Sequence, residues 1–196
     1  ISHKQLYAIT DRLYQHKDTI DDFLYKRIKS LFNLEDKLVI FDISNTYFET
    51  RKSDSKLAKY GRSKEKRSDC PIVVFTGVIN AQGFIRHSKI YQGNTADTAT
   101  LEDMIANLEQ HSTSQEKKTI VIDAGIAVES NLDMIKEKGY KYVCVSRKRI
   151  KDYPVDATKQ TITELTDRNK NKVELAIFNP KDFSDTWMYV QSEAKR

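Results

Sequence analysis

Leu38-Val39-Ile40-Phe41-Asp42 and Thr119-Ile120-Val121-Ile122-Asp123-Ala124-Gly125 are the two stretches on which the reading of this chain turns. Each is a short, nearly unbroken apolar run rich in β-branched residues. That is how a strand buried on both sheet faces is written. Each run ends in an aspartate, which places a carboxylate at the carboxyl end of its strand. A single Asp after a strand is most often a turn former or a helix N-cap. Two of them on neighbouring parallel strands offer the oxygen donors that hard divalent cations prefer.

The segments around these runs supply the rest of a sheet. Residues 2–34 have helical periodicity, with Ser2 and Gln5 spaced as a capping box, Asp18 as the expected cap of a second helix and Asn33 as the stop. Ile72 to Ile79 and Phe84 to Tyr91 flank the turn Asn80-Ala81-Gln82-Gly83 and predict a hairpin. Gly93-Asn94-Thr95 breaks the second of these strands. Asp97 is the expected N-cap of a helix bearing Leu101, Met104, Ile105 and Leu108. After the strand ending at Asp123, a helix with Leu132 and Ile135 stops at Gly139, and a fifth strand covers Tyr140 to Ser146. The order β-β-β-α-β-α-β predicts a mixed five-stranded α/β sheet with flanking helices. If the fourth strand lies beside the first, Asp42 and Asp123 meet, and the plan is ribonuclease H-like. Beyond Pro154, strand-like runs at 161–166, 173–178 and 186–191 predict an antiparallel meander appended to that sheet.

The chain has 196 residues, 39% hydrophobic, 10% aromatic and 31% charged. Its mean hydropathy of −0.62 describes a soluble protein with enough apolar material for a core. No apolar run approaches the ~18 residues of a membrane helix. Cys70 and Cys144 are far apart and in no metal-binding spacing, and the four histidines are scattered, so a zinc site or disulfide framework is not expected and a reducing cytoplasm is. Net charge is +5, yet residues 51–67 alone hold eight basic and two acidic residues, a net +6. Such a segment beside a carboxylate site either holds a polyanion or is a solvated connector, and composition weighs the two equally. The opening Ile1-Ser2-His3-Lys4 carries no start Met and no signal core, so the chain reads as an internal piece of a longer protein.

Five segments give the chain a family likeness: Phe41 to Glu49, Tyr60 to Asp69 (YGRSKEKRSD), Tyr91 to Asp97 (YQGNTAD), Val121 to Gly125 (VIDAG) and Gly139 to Arg147. Together they resemble the DDE transposases of the insertion-sequence 4 superfamily, most closely the insertion-sequence 1634 type. The likeness spans roughly residues 36–192 in one order. It implies a helical segment at 1–35, a ribonuclease H-like catalytic core at 36–153 and the start of a β-rich insertion at 154–196.

The resemblance also implies a chemistry. Asp42 and Asp123 match the family's first two catalytic, metal-binding carboxylates, with Mg²⁺ or Mn²⁺ as the cofactor in a two-metal site. Transposon-end and target DNA are the implied partners, with a dimer in the active complex, no membrane and a bacterial, nucleoid-associated location. The family's third carboxylate is a Glu beyond the insertion. Glu164, Glu174 and Glu193 lie in or beside strand-like runs and are not read as that ligand, so this chain alone is expected to be inactive. Arg62, Lys64, Lys66 and Arg67, and Arg147, Lys148 and Arg149 after the fifth strand, are the expected DNA contacts. Asn45, Thr46 and Glu49 either orient Asp42 or satisfy a turn. Two other readings keep the fold: a self-sufficient nuclease using Asp97 or Glu102 as third ligand, and a DNA-binding remnant without catalysis.

Overall fold

The computed structural model describes residues 2–34, 37–49, 55–110, 118–146, 162–180 and 184–192. They fall into two compact units, Ile1–Arg147 and Lys148–Arg196. In the first, β1 (Leu38–Tyr47), β2 (Ile72–Asn80), β3 (Ile85–Gln92), β4 (Thr119–Ile122) and β5 (Lys141–Cys144) form one sheet in the order β3-β2-β1-β4-β5. β1 and β2 are antiparallel, β2 and β3 are antiparallel, and β1, β4 and β5 are parallel. This is the mixed five-stranded sheet with flanking helices that the strand order predicted, with the fourth strand beside the first.

Alternation along the strands assigns the faces. Val39, Phe41 and Ile43 of β1, Val74 and Val78 of β2, and Ile120 and Ile122 of β4 are buried together. Against them pack Leu101, Met104, Ile105 and Leu108 of α3 (Asp97–Gln110) and Ile135 of α4 (Glu129–Glu137). Both crossover helices therefore cover the same face. On the opposite face the register aligns Phe75 with Ile90 and Val121 with Val143. Phe75, Ile90 and Val143 are each more than a third exposed.

The ends of the elements are chemically specified. The β2–β3 turn is held by Asn80, whose Oδ1 accepts from the Gln82 and Phe84 amides at 3.1 and 2.9 Å, with Gly83 at φ 88°. Gly139 at φ 74° follows α4, as its position predicted. Two helices precede β1, α1 (His3–Gln15) and α2 (Lys17–Phe32); the Ser2–Gln5 capping box forms, and α1 buries none of its residues. Asp18 does not cap α2. The break between the helices falls two residues earlier, at His16, and Asp18 lies in the helix's first turn, where its charge favours the amide dipoles. Asp97 likewise begins α3 as a first-turn residue. Tyr25 is the buried residue of α2, and the Arg86 guanidinium lies 5.1 Å from its ring centroid.

The basic segment is built into the sheet where it is described. Lys59 and Ile72 exchange two backbone hydrogen bonds, at 3.0 and 2.9 Å, and the Gly93 amide donates to Leu57 at 3.1 Å. The chains cross so closely that a Cβ on Gly61 would lie 1.9 Å from the Gly93 oxygen. A Cβ on Gly93 would lie 2.1 Å from the Ile72 oxygen and 2.3 Å from that of Lys59. Residues 55–67 are thus a strap pinned across the end of β2 and β3, not a loose connector. Residues 51–54 lie outside the described residues.

The second unit contains an antiparallel sheet of β6 (Ile162–Thr166), β7 (Lys172–Phe178) and β8 (Trp187–Ser192). It is a separate three-stranded sheet, whereas the sequence reading appended these strands to the first. Its first turn is organised by Asp167, which accepts from the Asn169 and Asn171 amides at 2.8 Å each. Glu164 and Glu174 face each other in register and flank Lys172 at 2.7 and 3.3 Å.

Since the two nearest atoms opposite Gly93 are the backbone oxygens of Ile72 and Lys59, a side chain there forces the strap off the sheet. Gly93→Ala is expected to destabilise the first unit by about 1–3 kcal/mol, the range for overpacking a tight site. Urea denaturation compared with Gly83→Ala, whose added Cβ meets nothing within 4 Å, separates steric overlap from the penalty of positive φ.

Candidate active site

Asp42 and Asp123 are placed by one short ladder. Leu38 pairs with Thr119, Val39 with Ile120 and Ile40 with Val121. β1 runs on unbroken and β4 continues to Ile122. The same register carried forward sets Asp42 opposite Asp123; Asp123 follows the last residue of β4, whereas β1 runs on to Tyr47, so Asp42 lies mid-strand and does not close its strand as the sequence suggested. Neighbouring strands lie about 4.7–4.9 Å apart. Paired residues in register share a face, so both carboxylates belong to the face not covered by α3 and α4. Both are exposed.

The two acids differ in their surroundings. Asp42 stands within a strand and opposite Gly77 of β2, so no side chain rises beside it on that flank. Asp123 opens a turn. Its Oδ1 accepts from the Ile126 amide at 3.1 Å, and its backbone carbonyl accepts from Ile126 and Ala127 at 3.2 Å each. Turn former and site residue are therefore combined in one side chain. A Cβ on Gly125 would stand 3.0 and 3.2 Å from the two Asp123 carboxylate oxygens, so glycine keeps that carboxylate clear. A glycine two residues after an acidic strand end was the sequence signal for this.

Asn45 and Glu49 fasten the strap to β1. Asn45 Oδ1 accepts from the Lys64 amide at 3.4 Å. Glu49 Oε1 accepts from Arg67 at 3.4 Å. Thr46 is exposed and pairs with Val73 across the ladder. Glu49 thus meets Arg67.

The cations of the strap divide into two kinds. Arg67 makes a two-pronged contact with Asp69, 2.8 Å on each prong, and lies 4.9 Å from the centroid of Tyr47. The hydrogen bond donated to Asp69 first, and the charge of that carboxylate second, hold the Arg67 guanidinium above its ordinary pKa, and the same hydrogen bond holds the Asp69 carboxyl below its own. Buried Cys70 lies 3.2 Å from the same guanidinium, and burial pushes its thiol up. Arg67 is therefore a strut, and sequence reading missed Tyr47, Asp69 and Cys70 as the parts that hold it. Arg62 and Lys66 are exposed, and Lys66 takes the left-handed backbone at φ 58° that closes the turn begun at Ser63. Lys64 donates through Nζ to the Ile43 carbonyl, one residue from Asp42. Arg147, Lys148 and Arg149 lie outside the described residues.

Two carboxylates facing solvent at a rigid strand end fit a hard divalent cation that keeps several waters. Among the described residues, no three His, Cys, Asp or Glu side chains are grouped to hold a metal ion. Asp97 and Glu102 are not grouped with Asp42 and Asp123 in this arrangement of the described residues. Neighbouring Asp103 is bound to Lys89 at 2.7 Å and also accepts from the Tyr91 hydroxyl. Glu164 and Glu174 are engaged with Lys172, as noted.

A family model described as "Transposase DDE domain" matches residues 37–190. No curated protein matches the chain. Among solved structures, the chain is similar to a piggyBac transposase synaptic complex with hairpin DNA, at TM-score 0.36 and 12% identity, over 84% of this chain and 37% of that one. It is similar to the Mos1 transposase paired-end complex with left transposon end, at 0.39 and 12%, over 69% and 43%. The catalytic domain of Mos1 mariner transposase gives 0.37 and 11%, over 74% and 67%. The chain thus spans well under half of the first two. No helix among the described residues is long and apolar enough to cross a membrane.

Gly125→Ala should press on the Asp123 carboxylate while leaving the core alone. The expected result is a shifted Ile126 amide resonance with faster hydrogen exchange there, and stability within roughly 1 kcal/mol of the parent. Unchanged Ile126 exchange would show that the turn absorbs the methyl group elsewhere.

Proposed function

The chain belongs to the transposase DDE domain family, and we propose that it supplies two of the metal-binding carboxylates, Asp42 and Asp123, of a core that cuts phosphodiester bonds at transposon ends and joins them to target DNA. The observation that carries this reading is the parallel β1–β4 ladder, whose register brings the two acids to one end and one face of the sheet. The five quoted segments support an insertion-sequence 4, 1634-type member acting as a dimer on DNA in a bacterial cytoplasm. The family likeness assigns the third carboxylate to none of the residues named here.

Asp42 and Asp123 would hold Mg²⁺ or Mn²⁺. Bound there, such ions supply the charge that activates an attacking water and steadies the departing 3′-oxygen. The chain's own residues do the positioning. Asp42 is fixed by a central strand, and Asp123 by its bond to the Ile126 amide. Arg62 and Lys66, exposed on the strap, meet backbone phosphates and contribute affinity without reading sequence. The turn role of Asp123 accompanies the metal role, since its Oδ2 remains available when Oδ1 accepts from Ile126.

Mn²⁺ added to the 196-residue chain should broaden the resonances around Asp42 and Asp123 first, and Asp42→Asn should remove that effect. Broadening elsewhere that is indifferent to Asp42→Asn would overturn the site. The chain alone should not cut DNA, whereas the longer protein should, and only with Asp123 intact. Cleavage by the chain alone, lost in Asp97→Asn or Glu102→Gln, would establish the nuclease reading instead.

DNA binding should weaken with salt by a log–log slope near −0.9 for each phosphate neutralised. The double variant Arg62→Ala/Lys66→Ala should flatten that slope by roughly two units, for any duplex sequence. Fluorescence anisotropy across a salt series measures it. An unchanged slope would place the DNA path away from the strap.

A further inference from the structure

Lys64 delivers its charge to the backbone of β1, whereas Arg67 delivers its own to acidic side chains. The Lys64 backbone amide donates to Asn45 Oδ1, and its Nζ donates to the Ile43 carbonyl. Both acceptors belong to β1, on the half of the strand where only β2 remains as a partner, because the β1–β4 ladder ends at Ile40. The turn that presents Lys64 is itself closed. Ser63 is buried, its hydroxyl donates to Glu65 at 2.7 Å and accepts from the Glu65 amide at 3.1 Å, and the Lys66 amide returns to the Ser63 carbonyl. Behind that turn the Gly61–Gly93 crossing prevents the strap from sliding. Arg67, by contrast, is committed to Asp69, Glu49 and Tyr47.

We infer that Lys64 is a positioning residue that sets the charge balance of the acidic pair, opposing divalent-cation occupancy in the absence of DNA and holding a DNA phosphate beside the pair in its presence. This rests on the proposed role of Asp42 and Asp123. The physical basis is sign and distance. An ammonium anchored one residue from Asp42 partly neutralises two carboxylates and repels a divalent cation. Across several ångströms of water, repulsion between a monovalent and a divalent cation corresponds to a roughly threefold to tenfold reduction in metal affinity. A phosphate arriving at the same point brings negative charge to both the lysine and the metals, so DNA and metal would bind with mutual reinforcement. Selective loading follows: the site fills fully only when the backbone to be cut is present.

The test counts free Mn²⁺ by electron paramagnetic resonance in titrations of the 196-residue chain, with and without a short DNA duplex, for wild type, Lys64→Met and Lys64→Arg. Without DNA, Lys64→Met should bind Mn²⁺ about threefold to tenfold more tightly, while Lys64→Arg should match wild type. With DNA, the enhancement of Mn²⁺ affinity should shrink in Lys64→Met and persist in Lys64→Arg. A lysine that only anchors the turn would lower metal affinity when removed, or leave it unchanged, and either result overturns the inference. A melting curve for each variant shows that the fold is retained. The two proposals fail differently. If wild-type Mn²⁺ binding is itself indifferent to Asp42→Asn, the site assignment falls and this inference with it. If Asp42→Asn abolishes binding but Lys64→Met does not strengthen it, the site stands and the lysine's role does not.

Discussion

Between β1 and β4, three residue pairs of parallel ladder hold together parts of the chain that are remote in sequence. Parallel pairing requires a crossover, here supplied through α3, and its register is specified because Val39 and Ile120 must share the buried face. A slip of one residue would turn Val39, Phe41 and Ile43 toward solvent and carry Asp42 into the core. The cost of burying an unpaired carboxylate makes that alternative far less stable. Placement of the acids is thus enforced by the apolar residues between them, and not by any contact between the acids themselves.

The strap extends this constraint from sheet to surface. Its backbone is joined to β2 at Lys59, to the end of β3 at Gly93 and to the Asn45 side chain of β1, and its Arg67 side chain reaches Glu49 just beyond β1. A high density of positive charge would ordinarily favour a solvated, self-repelling loop. Here part of that charge is neutralised internally by Glu49, Glu65 and Asp69, and close backbone packing supplies the remainder of the order. The same segment therefore presents cations in fixed positions, which reduces the entropy lost when a polyanion binds.

Much of this was legible in the chain. The apolar runs ending at Asp42 and Asp123 were long enough and sufficiently β-branched to be read as central strands, and the Asn80–Gly83 turn and Gly139 declared their own geometry. The later strands were visible as alternation, but their independence from the first sheet was not, because alternation specifies a face and not a partner. Asp18 and Asp97 were read as caps from residue type alone, yet each falls inside its helix, where an acid is equally favourable. The roles of Arg67 and Lys64 could not be separated in sequence. Both are basic residues in one short run, and only folding shows that Asp69 lies along one guanidinium while the Ile43 carbonyl receives the other cation. Gly93 read as a strand breaker, and its stricter duty, to admit another backbone, depends on a segment more than thirty positions earlier.

That crossing has a consequence for the order in which the molecule is assembled. The β2–β3 hairpin is local and can form early, since its ends are joined by a short turn. Residues 57–61 can settle only onto a Gly93 that already stands at the end of β3, so the strap docks after the hairpin. By the same logic it can lift off while the sheet stays intact, as a small cooperative unit with its own opening free energy below that of global unfolding. Protection from hydrogen exchange would then fall into two tiers, with the Leu57–Gly93 hydrogen bond in the weaker one. The chain would thereby acquire, in its folding hierarchy, a means of uncovering the carboxyl end of its central strand without dismantling the sheet that supports it.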